Sequence, residues 1–302
     1  MNARSGGRDA DSREGAIRQI LVPAGRAFHI WRASRSLELA GAAREAVRRA
    51  RIEGGIVVAA GGDGTINTVA QEVLGSGCPF GVLPQGTFNY FGRSHGIPVD
   101  TVQAAEVLVR GKLRRVQVGL VNEKIFLVNA SLGLYPRILE KREMHKKKFG
   151  RTRLVALFSA LITLFTPPPV LSLTLGEAEG GELLQISTLL VENNPLQLEE
   201  VGLAEAEAVQ RGNLAAVAVK AKGVPQMLGV LVLAALRRLK DSDRILSFPF
   251  TELTVKHMRA RRIKVATDGE IGWLVPPLVF RAAPGGLSLL VPDEADRVRW
   301  ER

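Results

Sequence analysis

A run of small residues around one acid, Gly61-Gly62-Asp63-Gly64-Thr65, has the composition of a phosphate-handling turn. Glycines let the backbone approach a ligand closely and turn successive N–H groups toward an anion. A helix starting just after them adds about half a positive charge at the same point. Asp63 is the odd member, because a carboxylate repels phosphate unless a divalent cation or a transferable proton lies between them. That combination points to phosphoryl transfer from a magnesium–nucleotide complex, where positioning and charge neutralisation supply most of the catalysis. A second reading is structural: a tight turn in which Asp63 caps the following helix. The residues alone leave both readings open.

Such a turn needs a strand before it and a helix after it, and the sequence supplies both. Ile56-Val57-Val58-Ala59-Ala60 is a continuous apolar run, as expected of a strand buried on both faces. Residues 66–74 carry apolar side chains at helical spacing. Upstream, an Ala-rich helix is expected from Ser34 or Ser36, ended by Gly54-Gly55. Downstream, 79–84 reads as the next buried strand, Gln85-Gly86-Thr87 as its turn, and 99–110 as a further helix. After about residue 115 the rhythm changes. Strands are expected at 115–120 and 124–130 around Asn122-Glu123, then at 171–175, 182–192, 214–219, 252–257, 263–266 and 287–291. Helical insertions around 151–165 and 225–239 interrupt them. The expected fold is therefore α/β: a parallel α/β nucleotide-binding domain over 16–115, then a β-rich, antiparallel, sandwich-like domain over 116–295. Residues 1–15 are expected to be a disordered arm.

Composition bounds the function. The chain has 302 residues, 46% of them hydrophobic and 24% charged, enough for two cores. Its 41 basic and 30 acidic residues give a net charge of +11, which favours anionic partners. One cysteine, Cys78, and four histidines exclude a disulfide framework and the usual zinc site. The longest apolar stretches, 154–165 and 227–236, fall well short of the ~20 residues that span a bilayer. The single cysteine fits a cytoplasmic, reducing compartment, and the polar start lacks the apolar core of a signal peptide. With only 16 aromatic residues, none interleaved with basic ones as a stacking platform, nucleic acid is not an expected partner. Residues 141–153 hold seven Lys/Arg and run straight into apolar 154–165. That stretch reads either as a seat on an anionic membrane or as a solvated loop before a core helix. A second basic cluster, 256–264, reads as a strand edge and turn.

Three segments in order and spacing carry a resemblance: Val58-Ala59-Ala60-Gly61-Gly62-Asp63-Gly64-Thr65-Ile66-Asn67, Gly81-Val82-Leu83-Pro84-Gln85-Gly86-Thr87-Phe88-Asn89-Tyr90-Phe91, and Asp268-Gly269-Glu270. Together they resemble the diacylglycerol kinase catalytic-domain family, whose superfamily includes sphingosine kinases and, more distantly, NAD kinases. The resemblance runs along residues 20–295. It implies an ATP-dependent lipid kinase that transfers the γ-phosphoryl group to a hydroxyl of diacylglycerol or a related lipid, with ATP and Mg2+ as cofactors. Gly61, Gly62, Asp63, Gly64, Thr65, Ile66 and Asn67 would hold the nucleotide phosphates, and Thr87 would add a hydroxyl contact. Ser34, after an expected strand His29-Ile30-Trp31, would be a third contact. Glu270 would be the general base, with Asp63 organising Mg-ATP or sharing that role. By itself, Asp268-Gly269-Glu270 reads only as a type I′ hairpin turn, which Asp-Gly favours. The implied partner is a lipid substrate at an anionic membrane surface, and the implied location is peripheral to the inner membrane face. A homodimer is left open.

The chain also departs from the family pattern. The usual first strand, ending in an Asn-Pro-x-Ser-Gly-like loop, is expected to be missing, because 20–25 aligns better with the helix after it. Tyr90 stands where the family usually has Asp. Arg211 stands near an Asp-Gly that helps bind a structural Mg2+, so no metal site is carried over. These departures favour a second reading, a catalytically weakened nucleotide- or lipid-binding member, while Asp63 and Glu270 oppose it. An NAD kinase is a third reading, opposed by Gly86-Thr87-x-Asn89 and the late Asp-Gly-Glu.

Overall fold

The computed structural model describes residues 7–33, 36–137, 139–140, 171–176, 182–257 and 261–293. The chain divides into two compact units. Unit 1 comprises residues up to 118 together with the segment from 283 onward, and unit 2 comprises 119–282. The last segment thus returns to the first unit, where the sequence pattern had placed it in the second domain.

Unit 1 is the α/β part. Its helices are α1 (Gly7–Leu21), α2 (Ser36–Glu53), α3 (Asp63–Val73), α4 (Tyr90–Ser94) and α5 (Thr101–Arg110). Strand β1 (Val57–Gly61) pairs in parallel with β2 (Pro79–Pro84), and β2 pairs in parallel with β14 (Leu278–Val291) at Ser288 and Leu289. Phe80, Val82 and Leu83 of β2 are buried, matching the uninterrupted apolar run of a strand covered on both faces. Two expectations are corrected. Residues 7–15 of the expected arm belong to α1, which runs on to Leu21: Ile17 and Leu21, one turn apart, are buried, and Glu14 bridges Arg18 and Arg32 at 2.7 and 2.6 Å. Residues 26–32 belong to no helix or strand, so His29-Ile30-Trp31 is not a strand.

Unit 2 is a sandwich. A six-stranded, fully antiparallel sheet runs in the order β10 (Ile245–Phe250), β9 (Leu214–Val219), β8 (Thr188–Glu192), β5 (Asn129–Gly133), β12 (Ile263–Thr267) and β13 (Glu270–Leu274). Facing it are β6 (Leu171–Gly176), β7 (Glu182–Ile186), β11 (Glu252–His257) and the first half of β14, also antiparallel. Strand β3 (Lys112–Val121) turns at Asn122 into β4 (Lys124–Phe126). Leu132, Leu189 and Val265 from one sheet meet Leu173, Val255 and Phe280 from the other, and Phe126 meets Phe280 edge to face at 6.4 Å.

The outer face of β9 is covered as well. Ala215, Val217 and Val219 pack under α6 (Pro195–Val201), α7 (Ala206–Gln210) and α8 (Val224–Ala235), which is why Leu-Ala-Ala-Val-Ala-Val is apolar throughout instead of alternating. The expected strand 182–192 is two strands broken at Ser187, and the expected helix 225–239 stops at Ala235. The α/β-then-antiparallel architecture is the one expected. The basic run 141–153 and the insertion 151–165 lie outside the described residues. Among the described residues, no helix is long and apolar enough to cross a membrane.

Candidate functional site

In unit 1 the glycine turn is shorter than its sequence suggests. β1 ends at Gly61, Gly62 is the N-cap, and Asp63 is already the first residue of α3. Gly62 has no side chain, so the α3 N-terminus carries no side-chain cap and stays open to an anion. The turn after β2 lies against it. A Cβ on Gly86 would sit 2.7 Å from the Gly62 Cα, and one on Gly62 would sit 3.2 Å from the Gly86 Cα. Gln85 N–H donates to Gly61 O at 2.8 Å. Only glycine at both positions allows the two turns to touch backbone to backbone.

Asp63 ties the two turns together. Its Oδ2 accepts the Tyr90 N–H at 3.3 Å and its Oδ1 the Phe91 N–H at 3.2 Å, at the N-terminus of α4. Asp63 therefore does cap a helix, though the one after the second turn rather than its own. Asn89, in the left-handed region at φ 50°, accepts the Gly86 N–H at 2.7 Å and returns a bond to Gly86 O at 3.0 Å. Thr87 lies exposed in that second turn. Of the other expected phosphate contacts, Thr65, Ile66 and Asn67 are buried residues in the first turns of α3. Ser34 lies outside the described residues. A separate cavity of about 270 Å3 in this unit is lined by Ile17, Trp31, Ala43, Val57 and Leu83 and touches neither turn.

In unit 2, Asp268 and Gly269 have φ of 48° and 85°, the two positive values of a type I′ hairpin between β12 and β13. The Asp268 carboxylate does more than a turn requires. It accepts backbone N–H groups of Leu127 at 2.7 Å, Val128 at 2.9 Å and Asn129 at 3.0 Å, clamping the turn to the start of β5. Glu270, the next acid, is partly buried. Burial raises its pKa above the usual carboxylate value, and the Lys124 ammonium opposes that rise. Lys124 Nζ reaches over β13, 3.5 Å from where a Cβ on Gly272 would stand.

Glu192 is a member of this site that sequence reasoning missed. It ends β8 directly opposite Asn129 and is buried, and its pKa is pushed up to about 8, first by burial and then by the Asp268 charge. Asn129 links it onward to Gln197 at 2.7 Å. The only signal in the sequence was a lone acid closing an apolar strand. Its linkage has a definite sign. Between pH 4.5 and about 8 the folded chain keeps a proton that the unfolded chain releases, so stability falls as pH rises through that window. Glu192→Gln removes the penalty. The variant should match wild type near pH 4 and exceed it above pH 8, with a ceiling on the order of 5 kcal/mol. Urea midpoints at both pH values check this; a difference independent of pH would refute it.

Comparison with known proteins adds to this geometry. Residues 1–121 match the family model of the diacylglycerol kinase catalytic domain. A diacylglycerol kinase of Bacillus subtilis is 42% identical over 89 residues, covering 28% of this chain and 28% of that protein. One from Staphylococcus saprophyticus is 35% identical over 94 residues, covering 30% of this chain and 31% of that protein. The chain thus spans less than a third of the length of these two curated relatives. A crystal structure of a diacylglycerol kinase from Bacillus anthracis superposes with a TM-score of 0.68 at 16% identity, covering 97% of this chain and 95% of that one, which is a likeness of fold. Over residues 1–121 this match bears out the resemblance carried by the two glycine turns: the stretch is similar to a diacylglycerol kinase catalytic domain.

Proposed function

We propose that the protein is an ATP-dependent lipid kinase that phosphorylates a hydroxyl of diacylglycerol or a related lipid. The observation that carries this is the pair of glycine turns, joined backbone to backbone and bridged by Asp63, beside an uncapped helix N-terminus. Backbone N–H groups of the first turn bind the phosphates of ATP, and the Thr87 hydroxyl adds a contact. The lipid oxygen attacks the γ-phosphorus, the bond from that phosphorus to the bridging β–γ oxygen breaks, and ADP leaves. Glu270 takes the hydroxyl proton; a carboxyl with a raised pKa is better matched to that transfer near neutral pH.

Magnesium fits this arrangement with one protein carboxylate. Each Asp63 oxygen uses one lone pair on a backbone N–H and keeps another, and Mg2+ commonly takes most of its ligands from phosphates and water. Among the described residues no group of three or more His, Cys, Asp or Glu could hold a metal by itself. When bound, the ion would neutralise charge on the phosphates. Lipid phosphorylation places the working enzyme at the cytoplasmic membrane face.

One observation favours the second reading, a weakened nucleotide- or lipid-binding member. Tyr90 places its ring in a stack with Phe88, centroids 5.6 Å apart, with Arg93 over it, where the family usually offers a carboxylate. The deciding experiment is γ-labelled ATP with vesicles of diacylglycerol, sphingosine and other lipid alcohols, read by product identity. Labelled phosphatidic acid is the expected product. Nucleotide binding without any labelled lipid would overturn the kinase reading in favour of the weakened one.

A further inference from the structure

The helix α8 (Val224–Ala235), sequence Val-Pro-Gln-Met-Leu-Gly-Val-Leu-Val-Leu-Ala-Ala, is apolar around its whole circumference except for Gln226. One side does the expected packing: Met227, Val230, Leu233 and Ala234 close the core over β9. The opposite side is also apolar and faces outward. Leu228 is 40% exposed, Leu231 45%, Val232 57%, and Leu236, just past the helix, 61%. Positions i, i+3, i+4 and i+8 form one stripe. A helix that is hydrophobic on all sides is normally covered on all sides, so the outer stripe calls for an occupant.

The charges around the stripe say which occupant. Lys222 precedes the helix, and Arg237, Arg238 and Lys240 follow it, all exposed, while no acid occurs from 220 to 240. Arg238 is paired with Asp241 at 2.7 Å. Lys222, Arg237 and Lys240 make no ion pair among the described residues. A second copy docking helix against helix would bring these cationic ends together without a counter-charge. A protein partner would have to match a stripe with no hydrogen-bonding group in it. An anionic bilayer answers both features, offering hydrocarbon to the stripe and headgroup charge to the two ends. At 12 residues the helix is too short to cross, so it lies in the interface plane.

We infer that α8 docks the protein onto anionic membrane surface, its Leu228–Leu231–Val232–Leu236 stripe entering the acyl boundary and Lys222, Arg237 and Lys240 meeting the headgroups. The choice of a membrane as occupant rests on the lipid-kinase reading; the stripe and its cationic ends do not.

The test uses the full chain and two kinds of vesicle, phosphatidylcholine alone and phosphatidylcholine mixed equally with phosphatidylglycerol. Wild type should co-sediment with the second kind. Leu231→Ser/Val232→Ser and Lys222→Glu/Lys240→Glu should each weaken that binding at least tenfold, with turnover on a water-soluble short-chain diacylglycerol unchanged. Because the single native cysteine, Cys78, is buried, a fluorophore attached at Val232→Cys reports the stripe directly and should shift to the blue on anionic vesicles. An unshifted fluorophore, or a serine variant that binds like wild type, would overturn the inference. So would a wild-type dimer that the serine variant dissolves while vesicle binding persists. The two readings fail separately: docking through α8 without phosphorylation of any lipid removes only the kinase, and turnover on the short-chain lipid with an unshifted fluorophore removes only the docking.

Discussion

Asp63→Asn is expected to lower lipid-phosphorylating turnover by on the order of 10² or more in a chain that still folds. The substitution keeps the shape and removes the charge. One Asn oxygen can still accept the Tyr90 or the Phe91 N–H, but the amide NH2 then faces the other donor. The structural loss is about one hydrogen bond at a partly exposed position, on the order of 1 kcal/mol. A 10² loss of turnover corresponds to about 2.7 kcal/mol, beyond what that bond accounts for, and reports the missing negative charge beside the phosphates. Thermal melts and nucleotide titration, run with the kinase assay, separate the two effects. Undiminished activity in the folded variant would show that Asp63 only holds the turns together.

Glu270→Gln should reduce turnover by roughly 10²–10⁴ while ATP still binds, since a positioned base contributes about that much. Its pH behaviour is the sharper readout. Activity requires the ionised carboxylate, so kcat/KM falls as pH drops through the Glu270 pKa. Burial has moved that pKa up and Lys124 holds it back. Lys124→Met should therefore move the acid limb of the profile to higher pH, and Lys124→Arg should restore it. An acid limb in the same place for wild type and Lys124→Met would remove Glu270 from the role of base.

How much of this was legible in the sequence depended on how local the cause was. The strand Ile56–Ala60, the helix from Ser36 and the all-apolar strand Leu214–Val219 announce themselves in the sequence. The last is buried throughout, as a strand covered on both faces requires, whereas Ile56 and Val58 of the first are exposed, against the expectation of burial on both faces. The Asp268-Gly269 turn follows from two residues that tolerate positive φ. β10 was missed because Pro249 argues against a strand; it stands at the edge of its sheet, where a missing N–H is tolerated. β13 was missed because it too is an edge, with Gly272 in its middle and Trp273 60% exposed. The glycine turns were legible as residue types. Their mutual contact was not, since nothing in 61–65 says that Gly86 packs on it, nor that Asp63 reaches residue 91. Glu192 and Lys124 join the site only through strand register, which periodicity cannot supply.

The return of β14 to unit 1 also sets an order of assembly. Unit 2 is one uninterrupted stretch, so its core can close as soon as residue 282 has been synthesised. Unit 1 has to wait. Its helices and first two strands are made early, yet the edge of β2 turned away from β1 has no partner until Ser288 and Leu289 arrive. During that interval β2 is an open template of the kind that pairs with the wrong chain. Asp63 of the glycine turn and the strand that completes its sheet are thus separated by the whole time needed to make the second unit, and a chain cut after residue 282 would leave that edge open permanently.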